Sequence, residues 1–128
     1  MPEITLGLIA DTHMPDRVRN LHPRILPIFK EAQVTAILHA GDVCVPRVLH
    51  ELKQLAPVFA VRGNRDLFGF DLPLTRELEY GGVRIGLAHG HLSFRRALLD
   101  RLRFQLYGPK PFEWFAQRVT VLFPDVVY

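Results

Sequence analysis

Two apolar rhythms take turns along the first half of the chain. The stretches ITLGLIA (residues 4–10), TAILHA (35–40) and VFAV (58–61) are almost unbroken apolar runs of strand length, the pattern of strands covered on both faces. Between them lie PRILPIFKEAQ (23–33) and VPRVLHELKQL (45–55). In the second of these, Val45, Val48, Leu49, Leu52 and Leu55 recur at helical spacing and share one face. Pro23 suits the first turn of the other helix, whereas Pro27 works against it. Strand, helix, strand, helix, strand predicts an α/β fold: a mostly parallel sheet with crossover helices.

Further on the rhythm changes. A loop rich in Phe, Asp and Pro (67–74) precedes TRELEY (75–80) and VRIGLAH (83–89), two strands joined by Gly81-Gly82, a pair suited to a tight hairpin. SFRRALLDRLRF (93–104) reads as a basic amphipathic helix, broken by GPKP (108–111). PFEWFAQRVTVLF (111–123) suits a helix, with Phe112, Phe115, Val119 and Leu122 roughly on one face, although VTVLF has strand propensity. A short strand, DVVY, is expected after Pro124. No repeat, low-complexity stretch or linker interrupts the chain, so residues 1–128 are expected to form a single domain.

Polar residues concentrate where the predicted strands end. The first strand delivers Asp11 and His13, and the second delivers His39-Ala40-Gly41-Asp42. The third ends in Arg62-Gly63-Asn64-Arg65-Asp66, and VRIGLAH ends in His89-Gly90-His91. Carboxyl ends of parallel strands are where ligands gather. Residues two apart in extended chain point the same way, so Asp11 and His13 can reach one shared point, and a cation of intermediate hardness accepts that mix of carboxylate and imidazole. Gly41 and Gly63 stand immediately before candidate ligands and allow close backbone approach. Each motif taken singly could be a cap or a turn, and His22 and His50 read as ordinary surface histidines.

Composition narrows the classes. Hydrophobic residues make up 48% of the chain and charged residues 23%, as in ordinary globular proteins. The one cysteine, Cys44, excludes an internal disulfide and a cysteine-based zinc site and fits a reducing cytoplasm. The start lacks a basic, signal-like segment, and no apolar run is long enough for a bilayer, so no membrane association is expected. The net charge of +3 is a mild basic bias, much of it in Arg95, Arg96, Arg101 and Arg103, too small to indicate nucleic-acid binding by itself.

D-T-H at residues 11–13, G-D at 41–42, G-N-R-D at 63–66 and L-A-H-G-H at 87–91 resemble, in order, strand context and spacing, the motifs of the calcineurin-like metallophosphoesterases, especially the small YfcE-type phosphodiesterases. The resemblance implies part of a four-layer αββα sandwich. It assigns one cation to Asp11 and His13 and a second to Asn64 and His89, with Asp42 bridging them. It implies two divalent ions, manganese first, with nickel, iron or zinc as alternatives. Such a pair would share a hydroxide that attacks a phosphodiester or phosphomonoester, with a small phosphodiester as the expected substrate. The catalytic set it points to is Asp42, Asn64, Arg65 and His91.

Two departures accompany it. Many members carry histidine where this chain has Arg65, and arginine stays protonated near neutral pH. Arg65 can hold a phosphate through two hydrogen bonds, while His91 either supplies the proton or orients a ligand. In the family, a strand like the one ending at Tyr128 leads into G-H-x-H, whose histidines complete the metal shells. The resemblance therefore implies a C-terminally incomplete domain with its second sheet largely missing, and weakened metal affinity and low or no turnover for these 128 residues. A sheet face left bare would invite homo-oligomerisation. Residues 67–74 and the Arg95 region are expected to border the substrate pocket. The alternative function is a catalytically impaired phosphoesterase-fold scaffold for protein–protein interaction, like the phosphoesterase-like subunit of the retromer coat. A third reading, nucleic-acid binding through residues 93–104, predicts affinity that falls steeply with salt and ignores chelators.

Overall fold

The computed structural model describes residues 3–14, 18–63, 66, 71–90, 94–108 and 123, which fall into two compact units, residues 1–89 and 90–128. In the first unit, β1 (Leu6–Ile9), β2 (Ala36–His39) and β3 (Val58–Ala60) form a parallel sheet with β2 in the middle. Helices α1 (Ile25–Glu31) and α2 (Pro46–Lys53) are the crossovers. Pro27 is tolerated because it lies in the first turn of α1, where backbone N–H groups have no partner within the helix. A two-stranded antiparallel sheet follows, β4 (Thr75–Tyr80) and β5 (Val83–Ala88). Its turn is the predicted glycine pair, with φ of 57° at Gly81 and 77° at Gly82, as a tight primed turn requires.

The period-two alternation of β2 divides the core into two layers. Ile37 faces the helices and packs with Val48 and Leu52 of α2, and with Met14 and Val43. Its neighbour Leu38 faces the other way, packing with Val61 and with Leu87 of β5, joined by Leu78 and Ile85. The predicted apolar face of α2 is confirmed residue by residue, since Val45, Leu49 and Leu55 also pack on the helix-side core. The oily first strand departs from the expectation of cover on both faces. Leu6 joins the hairpin-side cluster, but Leu8, on the same side of this edge strand, is 71% exposed.

In the second unit, α3 (Phe94–Tyr107) extends three residues past the predicted run. It stops at Gly108, whose φ of 77° and N–H bond to the Phe104 carbonyl are those of a glycine that ends a helix. Leu98, Leu99, Leu102, Phe104 and Leu106 are about half exposed or more, and Arg95, Arg101 and Arg103 are exposed. The expected helix or strand at 111–122 and the strand after Pro124 lie outside the described residues. No described helix is long and apolar enough to cross a membrane.

Candidate metal centre

At the carboxyl end of the parallel sheet the β1 and β2 loops are joined by backbone hydrogen bonds. Asp11 N–H donates to the Gly41 carbonyl at 2.9 Å, and His13 N–H donates to the Asp42 carbonyl at 3.2 Å. This pairing carries Asp11, His13 and Asp42 through the left-handed region, with φ of 55°, 45° and 57°. Non-glycine residues reach that region at a conformational cost, typically where the surrounding structure over-determines them and where function is located.

The side chains meet at the Asp42 carboxylate. Its Oδ2 lies 3.3 Å from His13 Nε2 and 3.6 Å from His89 Nε2, and His13 Nε2 is also 3.4 Å from Asp11 Oδ1. Asp11, Asp42 and His89 each place a ligand atom within 4.8 Å of the others. Two donors each about 2.1 Å from one cation, at tetrahedral or octahedral angles, stand about 3.0–3.4 Å apart. The separations in this cluster are therefore close to those of a coordination shell. Asp42 is buried and Asp11 open, with side chains 5% and 57% exposed, so the cluster has a closed inner side and a solvent-facing outer side. His89 Nδ1 donates to the Ala40 carbonyl at 2.9 Å, which leaves Nε2 as the lone-pair nitrogen turned towards Asp42.

Asp66 closes the G-N-R-D motif, which by itself gives it no part in the site, yet it organises the inner side. Buried at 3% exposure, its Oδ2 accepts the N–H of Asp42 at 2.9 Å and of Gly63 at 2.8 Å, and its Oδ1 accepts the N–H of Cys44 at 2.7 Å. One carboxylate thus ties the loop after β2 to the loop after β3. The signal available was an acidic residue three positions past a glycine, at the end of a third strand. The glycines are needed for steric reasons. A Cβ on Gly63 would collide with Asp42 N and Oδ1, and one on Gly41 would come within 2.8 Å of His89 Nδ1 and of Gly63 N.

His39 and Thr12 form a second buried layer. Gly41 N–H donates to His39 Nδ1 at 3.2 Å, so the ring proton resides on Nε2, which donates to Thr12 Oγ1 at 3.1 Å. The Thr12 hydroxyl in turn donates to the Val43 carbonyl at 3.3 Å. Burial pushes the His39 pKa down to about 4, against the opposing pull of Asp66 and Asp11. His39 is therefore a neutral brace at pH 7. Of the other site residues expected from the sequence, Asn64, Arg65 and His91 lie outside the described residues. His22 and His50 are exposed, as expected.

Residues 4–108 match the sequence pattern of the calcineurin-like phosphoesterase superfamily domain. The chain belongs to that superfamily. A probable metallophosphoesterase of Methanothermobacter thermautotrophicus is 39% identical over 100 residues, covering 77% of this chain and 56% of the relative. Another, from Methanocaldococcus jannaschii, is 39% identical over 103 residues, covering 80% of this chain and 50% of the relative. The chain thus spans about half the length of these curated relatives. Among solved structures, Vps29 of Chaetomium thermophilum superposes with a TM-score of 0.60 at 22% identity, covering 81% of this chain and 55% of that one, a likeness of fold. Vps29 of Entamoeba histolytica, solved in complex with zinc, gives a TM-score of 0.59 at 28% identity, covering 79% and 58% of the two chains. A phosphoesterase superfamily brings divalent cations with it, and the Asp11, Asp42 and His89 cluster is the place among the described residues with donors of the right kind.

Proposed function

We propose that the chain forms a cation-binding phosphoesterase domain, whose metal-dependent reaction is the hydrolysis of small phosphodiesters. The observation that carries this reading is the position of Asp42 Oδ2 between two imidazole nitrogens, with Asp11 against the first of them. A carboxylate with an imidazole on each side suits a bridge between two neighbouring cations. Asp11 and His13 would hold one ion and His89 with Asn64 the other; manganese suits the mixed oxygen and nitrogen donors, as do nickel, iron and zinc. When bound, such ions neutralise phosphate oxygens and acidify water.

The chain's own groups then orient and shield. The carbonyl of Ala40 fixes the His89 tautomer, and Asp66 holds the Asp42 backbone so that its carboxylate stays at the junction. The buried inner side keeps solvent from the back of Asp42, while the open Asp11 side admits substrate. Arg65 would grip a phosphate oxygen as a permanent cation, and His91 would serve as a proton donor to the leaving group or as an orienting partner.

A calorimetric titration with Mn²⁺, paired with hydrolysis of bis(p-nitrophenyl) phosphate, tests the reading. Asp42→Ala should weaken cation uptake by at least about a hundredfold, more than loss of a group that only supports a ligand, and remove any hydrolysis. Unchanged uptake in that variant would refute the bridging role. A second reading, a phosphoesterase-fold scaffold without turnover, draws on the likeness to Vps29. It predicts partner binding that survives a chelator. Self-association, if the protein uses it, would show as a concentration-dependent mass in solution.

A further inference from the structure

A cavity of about 820 Å³ opens beside Asp11 and His13, within the usual range for small-molecule pockets. Its wall comes from the chain just after the first ligand pair, where Val18, Leu21 and Ile25 join Ile9 in an apolar lining. Ile9, Leu21 and Ile25 are rooted in the helix-side core, whereas Val18 is 49% exposed and forms an open edge. The wall is held from α2. Arg47 Nη2 donates to the Arg19 carbonyl at 2.6 Å and to Asn20 Oδ1 at 3.2 Å, and its Nε lies 3.6 Å from Glu51 Oε1 one helical turn away.

The cavity therefore joins two chemistries. At one end lie the carboxylate and imidazole of Asp11 and His13; along the rest the aliphatic side chains of Ile9, Val18, Leu21 and Ile25 offer nothing for water to bond, although Arg19, Asn20 and His22 also contribute to the lining. Water in such a place is readily displaced by an apolar group of matching size. A substrate that fits both ends is an anion at one end and a hydrocarbon ring at the other.

We propose that this cavity receives the organic half of the substrate and selects phosphoesters bearing an apolar, ring-sized ester group over those bearing a methyl-sized one. The proposal rests on the phosphoesterase reading above, because that reading places the phosphoryl group at the Asp11 and Asp42 cluster. Val18 and Leu21 are the specificity residues, and Arg47 is a positioning residue that acts through the backbone of Arg19.

Non-hydrolysable phosphonates separate the two claims. The 128-residue chain, saturated with Mn²⁺, is titrated calorimetrically with phenylphosphonate and with methylphosphonate. Burial of the ring should make phenylphosphonate about tenfold tighter or more. Val18→Trp fills the cavity from its open edge, and a change at a half-exposed position should leave the circular dichroism spectrum unaltered. It should erase the preference for the ring by weakening phenylphosphonate. Equal affinities in the unaltered chain, or a ring preference that survives Val18→Trp, would overturn the cavity proposal and leave the phosphoesterase reading standing. If the cation binds and neither phosphonate does, both fail together.

Discussion

Beneath the cation cluster, Asp66 and His39 are 3% and 0% exposed and bonded to backbone or hydroxyl groups from three separate loops. Beside the cluster, the wall starting at Val18 is half open and held by one arginine at the surface. The contrast separates two jobs. A coordination shell would tolerate displacements of only a few tenths of an ångström, and the proposed ligands are set by buried hydrogen bonds that have no competing water. A substrate wall works through area and shape, which an exposed loop on a rigid helix can supply. Damage to the first side should therefore cost fold and cation together, and damage to the second should cost only selectivity.

The severest test of that division is Asp66→Ala. It removes the acceptor of three N–H donors, the buried ones of Asp42 and Gly63 and the part-buried one of Cys44. Urea denaturation should register a loss of about 4 kcal/mol, with cation binding gone. Asp66→Asn keeps one acceptor oxygen and should lose about half as much. A fully stable Asp66→Ala protein would show that the clamp is decorative.

Gly63→Ala comes next. The added methyl has no space against the Asp42 backbone, and relief by shifting that loop should cost about 3 kcal/mol. Cation affinity should fall even at temperatures where the variant remains folded, as titration calorimetry would show.

Acid probes the same side without mutation. The folded pKa of His39 is about 4, below its ordinary 6.5. The unfolded chain therefore binds a proton between those values while the folded chain does not. Stability falls as pH drops from 6.5 towards 4, by at most about 3 kcal/mol. Denaturation of chelator-treated protein at pH 7.5 and 4.5 measures it, and His39→Gln should flatten the slope. An equal slope in that variant would assign the acid sensitivity to other groups.

The smallest effect belongs to the outer side. Arg47 is exposed, its side chain 55% accessible, so Arg47→Ala should cost less than about 1 kcal/mol. Phenylphosphonate should nevertheless weaken by about threefold, one lost loop tether, while Mn²⁺ uptake stays the same. A drop in cation affinity here would erase the distinction between the two sides.

Much of this was legible beforehand in particular residues. The oily runs at 4–10, 35–40 and 58–61 became β1, β2 and β3, and the helical spacing from Val45 to Leu55 became the buried face of α2. Periodicity reports faithfully wherever burial is what shapes an element. The meeting of Asp11 and Asp42 followed from strand ends, since parallel β1 and β2 discharge their loops on one edge, whereas His89 reaches them from the end of β5 in the antiparallel hairpin. Residues 67–74 and the Arg95 region were expected to border the substrate pocket, and residues 67–70 lie outside the described residues. The described lining of the cavity at Asp11 and His13, around Val18 to Ile25, carried no signal in the sequence.

By itself, then, the order of residues determined the α/β architecture, the hairpin and the family of metal-binding motifs, because each is written as a local period or a short spacing. Tertiary structure alone decided the role of Asp66, the neutrality of His39, the exposure of Leu8 and the wall held by Arg47. Those depend on which backbone groups lie across a loop, on how far solvent is excluded and on where a sheet ends. Such quantities exist only once distant segments of the chain have met.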